Sequence, residues 1–388
     1  MLRIISSFFI LMLLAGCGHD SEPVSNSATD YVSPVDYDII LAGNFGEPRP
    51  HHFHGGIDIK TGNVEGKDIY SVAEGYVSRL TVGMYGFGNA IYVNHPDGNT
   101  SVYCHLQHFA NKYEQLLKRT GRDTLSMVFP PDKFPVKAGE LIAISGNTGH
   151  STGPHLHLEI HDTKTWVMLD PLEFVGRFVA DTVAPQAHSF MAIPVRGEGV
   201  FNGGVSKQTY GFGQDDQKRS HSTTCLQREF TAWGKVGFAL WADDYCQFTY
   251  NHYGIRHTQL LVDGREVFRA DVNGIPVSCQ PEVNRWGDFE HWRHTHIWYM
   301  KSYKEEGMRL PILHTSLNRG IVTFDEERPY HLVYILRDYQ GNQSQYEFTV
   351  RGVRDSRVRP VARHPYHILD ANKLWGQCLW PLYAWKDI

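Results

Sequence analysis

Residues 147–160, N-T-G-H-S-T-G-P-H-L-H-L-E-I, decide how we interpret the rest of the chain. The stretch opens as a glycine-containing loop and ends in alternating histidine and leucine. If that end is a β-strand, its period of two places His155 and His157 on one face and Leu156 and Leu158 on the other. Imidazoles beside an apolar core need polar partners, and a metal ion is one such partner. The stretch therefore predicts a core face and an opposite face that forms a candidate site.

A second polar segment lies about a hundred residues earlier. Residues 44–59, N-F-G-E-P-R-P-H-H-F-H-G-G-I-D-I, contain His54 and Asp58. These two residues would share one face of a helix, but the glycines and prolines favour irregular backbone. We therefore expect a turn that brings both side chains to one point.

A third segment, residues 100–106, predicts another strand, T-S-V-Y-C-H-L. Strand alternation places Ser101, Tyr103 and His105 on one face. Cys104 falls on the other face, so we interpret it as a core residue rather than as a nucleophile activated by His105.

Together the three segments supply the residue types of a hydrolytic zinc site. Such a site uses three nitrogen or oxygen ligands and keeps one position for water. Two imidazoles and a carboxylate satisfy that requirement, and two further histidines remain to steer the water and stabilise an oxyanion. Histidine pairs are often only structural, and the specificity lies in the combination of His54, Asp58, His105, His155 and His157.

The same segments resemble the motifs of the lysostaphin-type (LytM-like) zinc endopeptidases, a family of peptidoglycan hydrolases. The matching blocks occur in the family's order and are H-G-G-I-D at 54–58, Y-C-H-L at 103–106 and the run at 146–157. The resemblance extends over roughly residues 44–174 and implies a compact antiparallel β-sheet domain with a groove over the zinc.

The resemblance also implies roles for individual residues. It implies that His54, Asp58 and His157 bind Zn²⁺ and that His105 and His155 flank the zinc-bound water and the scissile carbonyl. The expected function is zinc-dependent endopeptidase hydrolysis of peptide cross-links in peptidoglycan. Two alternatives remain open: a non-catalytic wall-binding regulator of other cell-wall hydrolases, and a zinc peptidase that acts on exported proteins.

One departure from the family pattern is an insert over roughly residues 109–135. Within it, residues 111–120 have apolar side chains at helical spacing, which predicts a short amphipathic helix covering one side of the sheet. The insert leaves the predicted ligands intact and bears on the shape of the groove and so on the choice of substrate.

The length of 388 residues exceeds what one hydrophobic core usually organises, so we expect two domains. We assign residues 37–180 to the peptidase domain, residues 181–352 to an immunoglobulin-like β-sandwich and residues 353–388 to an aromatic tail. Hairpin signals such as Asp263-Gly264 support an all-β second domain. A net charge of -5 without a long single-sign run argues against nucleic acid as a partner.

The first residues predict export and anchoring to a membrane. Arg3 precedes a mainly apolar run at 4–14, which is too short to span a bilayer. The sequence L-A-G-C at 14–17 resembles a bacterial lipobox, which makes residues 1–16 a signal peptide and Cys17 the lipidated residue. A plain secretory signal is the alternative. Residues 17–36 would then tether the protein to a membrane of the cell envelope, facing the periplasm or the cell exterior.

Two further features are the number of cysteines and a second cluster of histidines. Without Cys17 the chain has five cysteines, so at least one is free or pairs between chains. Residues 290–296, E-H-W-R-H-T-H, form a second histidine cluster. We interpret it as an aromatic β-strand with surface histidines rather than as a metal site.

Overall fold

The computed structural model describes residues 29–119, 125–213 and 222–358, and all structural statements below refer to these residues. The protein is mainly β, as the sequence predicts. No helix in the described ranges is long and apolar enough to cross a membrane. The predicted signal peptide, Cys17 and most of the predicted aromatic tail lie outside these ranges.

The first half of the chain consists of short strands with few helices. The strands are β1 Leu41–Gly43, β2 Pro48–Arg49, β3 His52–Phe53, β4 Ile57–Lys60, β5 Asp68–Tyr70, β6 Gly75–Val82, β7 Ala90–Asn94, β8 Asn99–Cys104, β9 His108–Phe109, β10 Leu125–Val128, β11 Pro135–Val136, β12 Leu141–Ile144, β13 His155–Asp162 and β14 Val167–Leu169. The helices are α1 Asn111–Lys118 and α2 Leu172–Val175, followed by a 3₁₀ helix at Gly176–Phe178.

The main sheet of this half is antiparallel, with strand order β1-β4-β13-β8-β7-β6-β10. Its core face is built by alternate residues, among them Tyr103, Leu156 and Leu158, which are fully buried. The predicted alternation along β13 is therefore confirmed. Since the leucines fill the core, His155 and His157 are left on the opposite face of the three strands β4, β13 and β8.

The insert extends the sheet at the edge farthest from β4. The predicted helix is present as α1, and its Tyr113 is buried in the same core as Tyr103. Strand β10 pairs with β6, and both β6 and β7 lie between β10 and β8. The described part of the insert thus adds to the core and to the outer edge of the sheet.

Ordered packing begins earlier than the predicted tether allows. Tyr31 and Val35 are buried in the core, and Val32 N donates to Val72 O at 2.6 Å. The prediction that residues 17–36 form a tether is therefore wrong for its last part. The segment is mainly polar in composition, but these two apolar side chains pack on the sheet.

The second half contains longer strands. They are β15 Gln186–Phe201, β16 Gln208–Gly211, β17 Ser222–Tyr245, β18 His252–Tyr253, β19 His257–Val262, β20 Arg265–Asp271, β21 Ile275–Pro276, β22 Met300–Lys301, β23 Leu313–Thr315, β24 Val322–Phe324, β25 Pro329–Arg337 and β26 Gln343–Gly352. The helices are α3 Val283–Trp286 and α4 Phe289–Thr295, with 3₁₀ segments at Val277–Glu282 and Leu317–Gly320.

These strands wrap around a core rich in phenylalanine, in the order β16-β15-β17-β26-β25-β19-β20-β23. Phe190 and Phe348 stack at the centre of this core with ring centroids 4.3 Å apart. The pair β17–β26 is parallel, and the other neighbours in this order are antiparallel. The predicted hairpin turn is present, since Asp263 and Gly264 both have positive φ, at 50° and 75°.

The second histidine cluster is a helix, so its interpretation as a strand is wrong. Residues 289–295 form α4, which begins after Asp288, whose side chain accepts a hydrogen bond from His291 N at 3.1 Å. The helix ends at His296, which adopts the left-handed conformation with φ of 58°. The cap that starts this helix overrides the aromatic, strand-like composition of the segment.

The two halves are in direct contact. Strand β14 pairs with β21 and so joins the main sheet to the second half. Asn44 Nδ2 donates to Gly254 O at 2.7 Å, and Gly254 N donates to Asn44 Oδ1 at 3.0 Å. Tyr253 is buried in the core of the first half. The described cysteines Cys104, Cys225, Cys246 and Cys279 are all free thiols.

Candidate metal centre

Strand register brings two of the predicted ligands together. His157 lies directly opposite Asp58 of β4 on one side and opposite Cys104 of β8 on the other. Residues opposite one another in adjacent antiparallel strands have Cβ atoms about 4.5–5.5 Å apart, so their side chains meet on one face. His157 Nδ1 and Asp58 Oδ1 are 2.7 Å apart.

His54 reaches the same point from the turn between β3 and β4. The two glycines that follow it permit a close approach to β13, because a Cβ on Gly56 would lie 2.1 Å from Leu158 O. A Cβ on Gly55 would lie 2.5 Å from Glu159 Oε1. The sequence His-Gly-Gly therefore lets the turn lie against the strand that carries His157.

The three donor atoms form a compact triangle. His54 Nε2 lies 3.1 Å from Asp58 Oδ1 and 3.0 Å from His157 Nδ1. Ligands around a tetrahedral zinc ion lie about 3.4 Å apart, so a small outward shift of these side chains would admit an ion. Two imidazole nitrogens and one carboxylate oxygen are suitable donors for such an ion, and the site fits a metal.

Hydrogen bonds orient both imidazoles toward this point. His54 Nδ1 donates to Asn44 O at 2.6 Å, which leaves Nε2 available as a ligand. His157 Nε2 donates to Glu159 Oε1 at 2.9 Å, which leaves Nδ1 available. An acceptor on the far nitrogen fixes the tautomer and orientation of a metal-binding histidine.

The carboxylate of Asp58 is held in a similar way. Arg49 Nη2 donates to Asp58 Oδ2 at 3.1 Å, while Oδ1 faces the two histidines. Burial would raise the pKa of Asp58, but His54, His155 and His157 outweigh it and hold the pKa well below its usual range. Asp58 is therefore ionised and ready to act as a ligand.

His105 reaches the site because the backbone departs from the strand conformation at this residue. Strand β8 ends at Cys104, and His105 follows with a left-handed φ of 59°. The predicted faces of β8 are reversed. Cys104 lies opposite His157 and is buried in a small cluster apart from the main core, whereas Tyr103, predicted to share a face with His105, lies in the main core. The left-handed turn carries the His105 ring to the opposite face, where its centroid lies 4.9 Å from that of His155 and 5.7 Å from that of His157.

The two remaining histidines both direct Nε2 toward the metal ligands. His105 Nδ1 donates to Thr148 O at 2.8 Å, and His155 Nδ1 donates to Gly153 O at 2.8 Å. His155 Nε2 lies 3.4 Å from Asp58 Oδ1. Burial and the neighbouring His157 lower the pKa of His105 to about 4, so that its ring is neutral at neutral pH.

Sequence reasoning missed a buried carboxylate behind His157. Glu159 accepts hydrogen bonds from His157 Nε2 at 2.9 Å and from His161 Nε2 at 2.6 Å. The ring of Trp166 stacks on His161 with centroids 4.3 Å apart. Burial would raise the pKa of Glu159, but both histidines hold it below its usual range. The period-two alternation that pairs His155 with His157 also includes positions 159 and 161, so the signal was present in the sequence.

Replacing Glu159 with glutamine is expected to weaken metal binding by about 10- to 100-fold. The negative charge that supports His157 is lost, while the volume of the side chain at position 159 is kept. A competition titration with a fluorescent zinc chelator measures the change. Glu140→Gln is the matched control, since Glu140 pairs with Lys112 away from the site. Equal affinity of Glu159→Gln and the parent would contradict this support role.

A comparison with known families covers part of this site. Residues 52–121 match the family model described as peptidase family M23. Over this segment the chain is similar to the M23 peptidases. The matched segment contains His54, Asp58 and His105, and strand β13, which lies outside it, brings His155 and His157 to them.

Two curated relatives are similar to this chain over a limited part of their length. A Haemophilus influenzae protein named an uncharacterized metalloprotease is 34% identical over 116 residues, which are 30% of this chain and 19% of that protein. The peptidoglycan DD-endopeptidase ShyC of Vibrio cholerae is 30% identical over 131 residues, or 33% of this chain and 25% of that protein. The chain thus spans about a fifth of the first of these relatives and a quarter of the second.

One solved structure similar to this chain is the catalytic domain of the antimicrobial peptidase lysostaphin from Staphylococcus simulans. It is 25% identical, with a TM-score of 0.28, and the similarity covers 35% of this chain and 91% of that structure.

Proposed function

We propose that the protein is a zinc-dependent endopeptidase that hydrolyses peptide cross-links of peptidoglycan. The observation that carries this proposal is the convergence of five side chains: three that can hold a metal and two histidines whose free nitrogens face it. The substrate class rests on the names of relatives, among them the peptidoglycan DD-endopeptidase ShyC.

The residues divide into two chemical roles. His54, Asp58 and His157 would hold the zinc ion, which when bound polarises a carbonyl and acidifies water. His105 Nε2 carries a lone pair at neutral pH, because Nδ1 donates to Thr148 O, and it can accept a proton from the attacking water. The proton taken up by His105 can then pass to the leaving amine. His155, in the form that carries a proton on both ring nitrogens, can donate from Nε2 to the former carbonyl oxygen and stabilise its negative charge.

Incubation of the zinc-loaded protein with purified sacculi tests this function. The expected result is release of peptide fragments in which cross-links are cut and the glycan strands are intact, as muropeptide analysis detects. Zinc binding without cleavage of sacculi or of exported proteins would support a non-catalytic regulator instead. Cleavage of exported proteins alone would support a processing peptidase and would overturn the assigned substrate.

Metal affinity is expected to increase with pH up to about pH 9. Burial lowers the pKa of His157, but hydrogen bonds with Asp58 and Glu159 outweigh it and raise the pKa to about 9 in the metal-free protein. A proton on His157 competes with the metal, so binding should tighten by about tenfold between pH 7 and 8 and by about fivefold between pH 8 and 9. Calorimetry in buffers of different ionisation enthalpy should detect release of close to one proton at pH 7. Constant affinity between pH 7 and 8.5 would contradict the assignment of His157 as a ligand.

A loop of the second half extends the rim of the site. Lys60 lies opposite His155 in the β4–β13 register, and its Nζ donates to Thr249 Oγ1 at 2.8 Å. The neighbouring rings of Phe248 and Tyr250 are 87% and 92% exposed, respectively. Lys60 Nζ also lies 5.1 Å from the centroid of the Tyr250 ring. Exposed aromatic side chains beside a site are suited to contact with substrate.

Replacing both Phe248 and Tyr250 with serine is expected to raise KM for soluble muropeptides by about tenfold, which corresponds to about 1.4 kcal/mol of binding, with kcat unchanged. Steady-state kinetics measures both constants. Leu317→Ser is the matched control, because Leu317 is 88% exposed in the second half and outside this loop. An unchanged KM would show that the loop does not contact the substrate.

We further propose that Cys17 carries a lipid that anchors the protein in the cell envelope. The support is the sequence alone: Arg3, the apolar run at 4–14 and L-A-G-C at 14–17. Metabolic labelling with a fatty-acid analogue tests it, since Cys17→Ser should abolish labelling and release the protein from membranes. Equal labelling of the Cys17→Ser variant would overturn the proposal.

A further inference from the structure

A second cluster of acidic side chains lies where the two halves of the chain meet. Three carboxylate oxygens lie within 4.8 Å of one another, one each from Asp181, Asp244 and Asp338. Asp181 lies in the connection between the halves, Asp244 near the end of β17 and Asp338 directly after β25. The three residues are only 9%, 6% and 1% exposed, respectively.

One buried carboxylate oxygen of this cluster has no hydrogen-bond partner in the described part of the chain. Asp181 Oδ1 accepts from Val183 N at 2.9 Å, and Asp338 Oδ1 and Oδ2 accept from Asn342 N and Nδ2 at 2.8 and 2.6 Å. Asp244 Oδ1, by contrast, is buried and has no hydrogen-bond partner within the described part of the chain. Burial and the neighbouring carboxylates raise the pKa of Asp244 well above its usual range in the absence of an ion. A buried oxygen without a partner is costly, so this atom indicates a missing ligand.

Nearby basic side chains are engaged elsewhere. Arg256 lines the adjoining cavity, but it pairs with Asp170 at 3.3 Å and with Glu173 at 2.9 Å. Within the described ranges, no lysine, arginine or histidine forms an ion pair with Asp181, Asp244 or Asp338. Three carboxylates at this distance repel one another strongly in a medium that excludes water.

We propose that Asp181, Asp244 and Asp338 bind a divalent calcium ion. Calcium takes six to eight oxygen ligands in flexible geometry, which suits carboxylates supplied by three separate segments. The adjoining cavity has a volume of about 20 Å³, which is enough for a water molecule to complete the ligand set. The ion would tie the connection between the two halves to strands β17 and β25.

The chemistry of the donors distinguishes this site from the histidine centre. All three donors are hard oxygen atoms, and no imidazole belongs to the cluster. The one sulfur nearby, Cys246 Sγ, donates a hydrogen bond to Asp181 Oδ2 at 3.3 Å and in this arrangement is a neutral thiol. The site therefore favours calcium over zinc.

The test uses the full chain loaded with zinc, so that calcium reports only on the second site. Calcium is titrated by calorimetry in metal-depleted buffer, and unfolding is followed by circular dichroism. We expect one calcium ion per chain with a dissociation constant of about 10⁻⁴–10⁻³ M. At saturating calcium the melting temperature should rise by about 2–4 °C. Absence of binding up to about 10 mM calcium, or binding of magnesium or further zinc in its place, would overturn the proposal.

Asp244→Asn is the decisive variant. It should weaken calcium binding by at least about tenfold, because a charged ligand is lost. Without calcium it should melt at about the same temperature as the parent, because the raised pKa of Asp244 keeps its carboxyl neutral and asparagine has a similar volume. Asp263→Asn is the matched control, since Asp263 pairs with Arg328 at 2.8 Å at the opposite end of β25 from Asp338, and its loss should leave calcium affinity unchanged. If Asp244→Asn does not fold, Asp181→Asn replaces it with the same expectations. A variant of the cluster that binds calcium as tightly as the parent would overturn the proposal.

Discussion

Replacing His157 with alanine is expected to remove the zinc ion and to reduce cleavage of sacculi to background. His157 Nδ1 lies 2.7 Å from Asp58 Oδ1 and 3.0 Å from His54 Nε2, so its loss opens one side of the donor triangle. The two ligands that remain are too few for a stable zinc site. Metal content measured by mass spectrometry after dialysis, together with release of soluble fragments from sacculi, gives both readouts.

A buried histidine elsewhere provides the control for loss of volume. His95 is 6% exposed, like His157, and its Nε2 bonds to Ser101 Oγ at 2.8 Å on the core side of the sheet. His95→Ala should lose stability but keep zinc and activity in the folded fraction. Retention of one zinc ion per chain by the His157→Ala variant would show that the metal lies elsewhere.

Replacing His105 with asparagine is expected to keep zinc binding and to lower kcat by about 10²–10⁴-fold, the usual contribution of a general base. Asparagine is chosen because His105 has a φ of 59°, a conformation that asparagine tolerates better than alanine. The side chain of His105 contributes no atom to the donor triangle, so metal content should match the parent. Single-turnover cleavage of a soluble muropeptide measures the chemical step.

The neighbouring His108 gives a matched control for this substitution. Its side chain is 65% exposed and contacts Glu114 rather than a residue of the metal centre. His108→Asn should therefore leave kcat, KM and zinc content unchanged. Cleavage at the parental rate by His105→Asn would remove His105 from the mechanism, and loss of zinc from it would make His105 a ligand instead.

Much of the architecture follows from alternation that can be seen in the sequence. The leucines of β13 lie in the core as predicted, because one-sided burial fixes the register of a strand. The structure also brings His54, Asp58 and His157 together at one point. Local patterns are sufficient wherever the backbone stays regular.

The errors occur where the backbone leaves the regular pattern or where a contact is distant in sequence. The side on which His105 lies depends on one left-handed residue directly after β8. Helix α4 depends on its cap at Asp288, within a segment whose aromatic composition favours a strand. The packing of Tyr31 depends on core residues far along the chain, which composition alone does not reveal.

The pairing of β14 with β21 has a consequence for how the protein unfolds. Backbone hydrogen bonds between these strands, and the burial of Tyr253 in the core of the first half, connect residues on both sides of position 181. A fragment that ended at residue 180 would expose an unpaired sheet edge and a gap in its core. We therefore expect the two halves to unfold together, so that heat which loosens either half also disturbs the candidate metal centre.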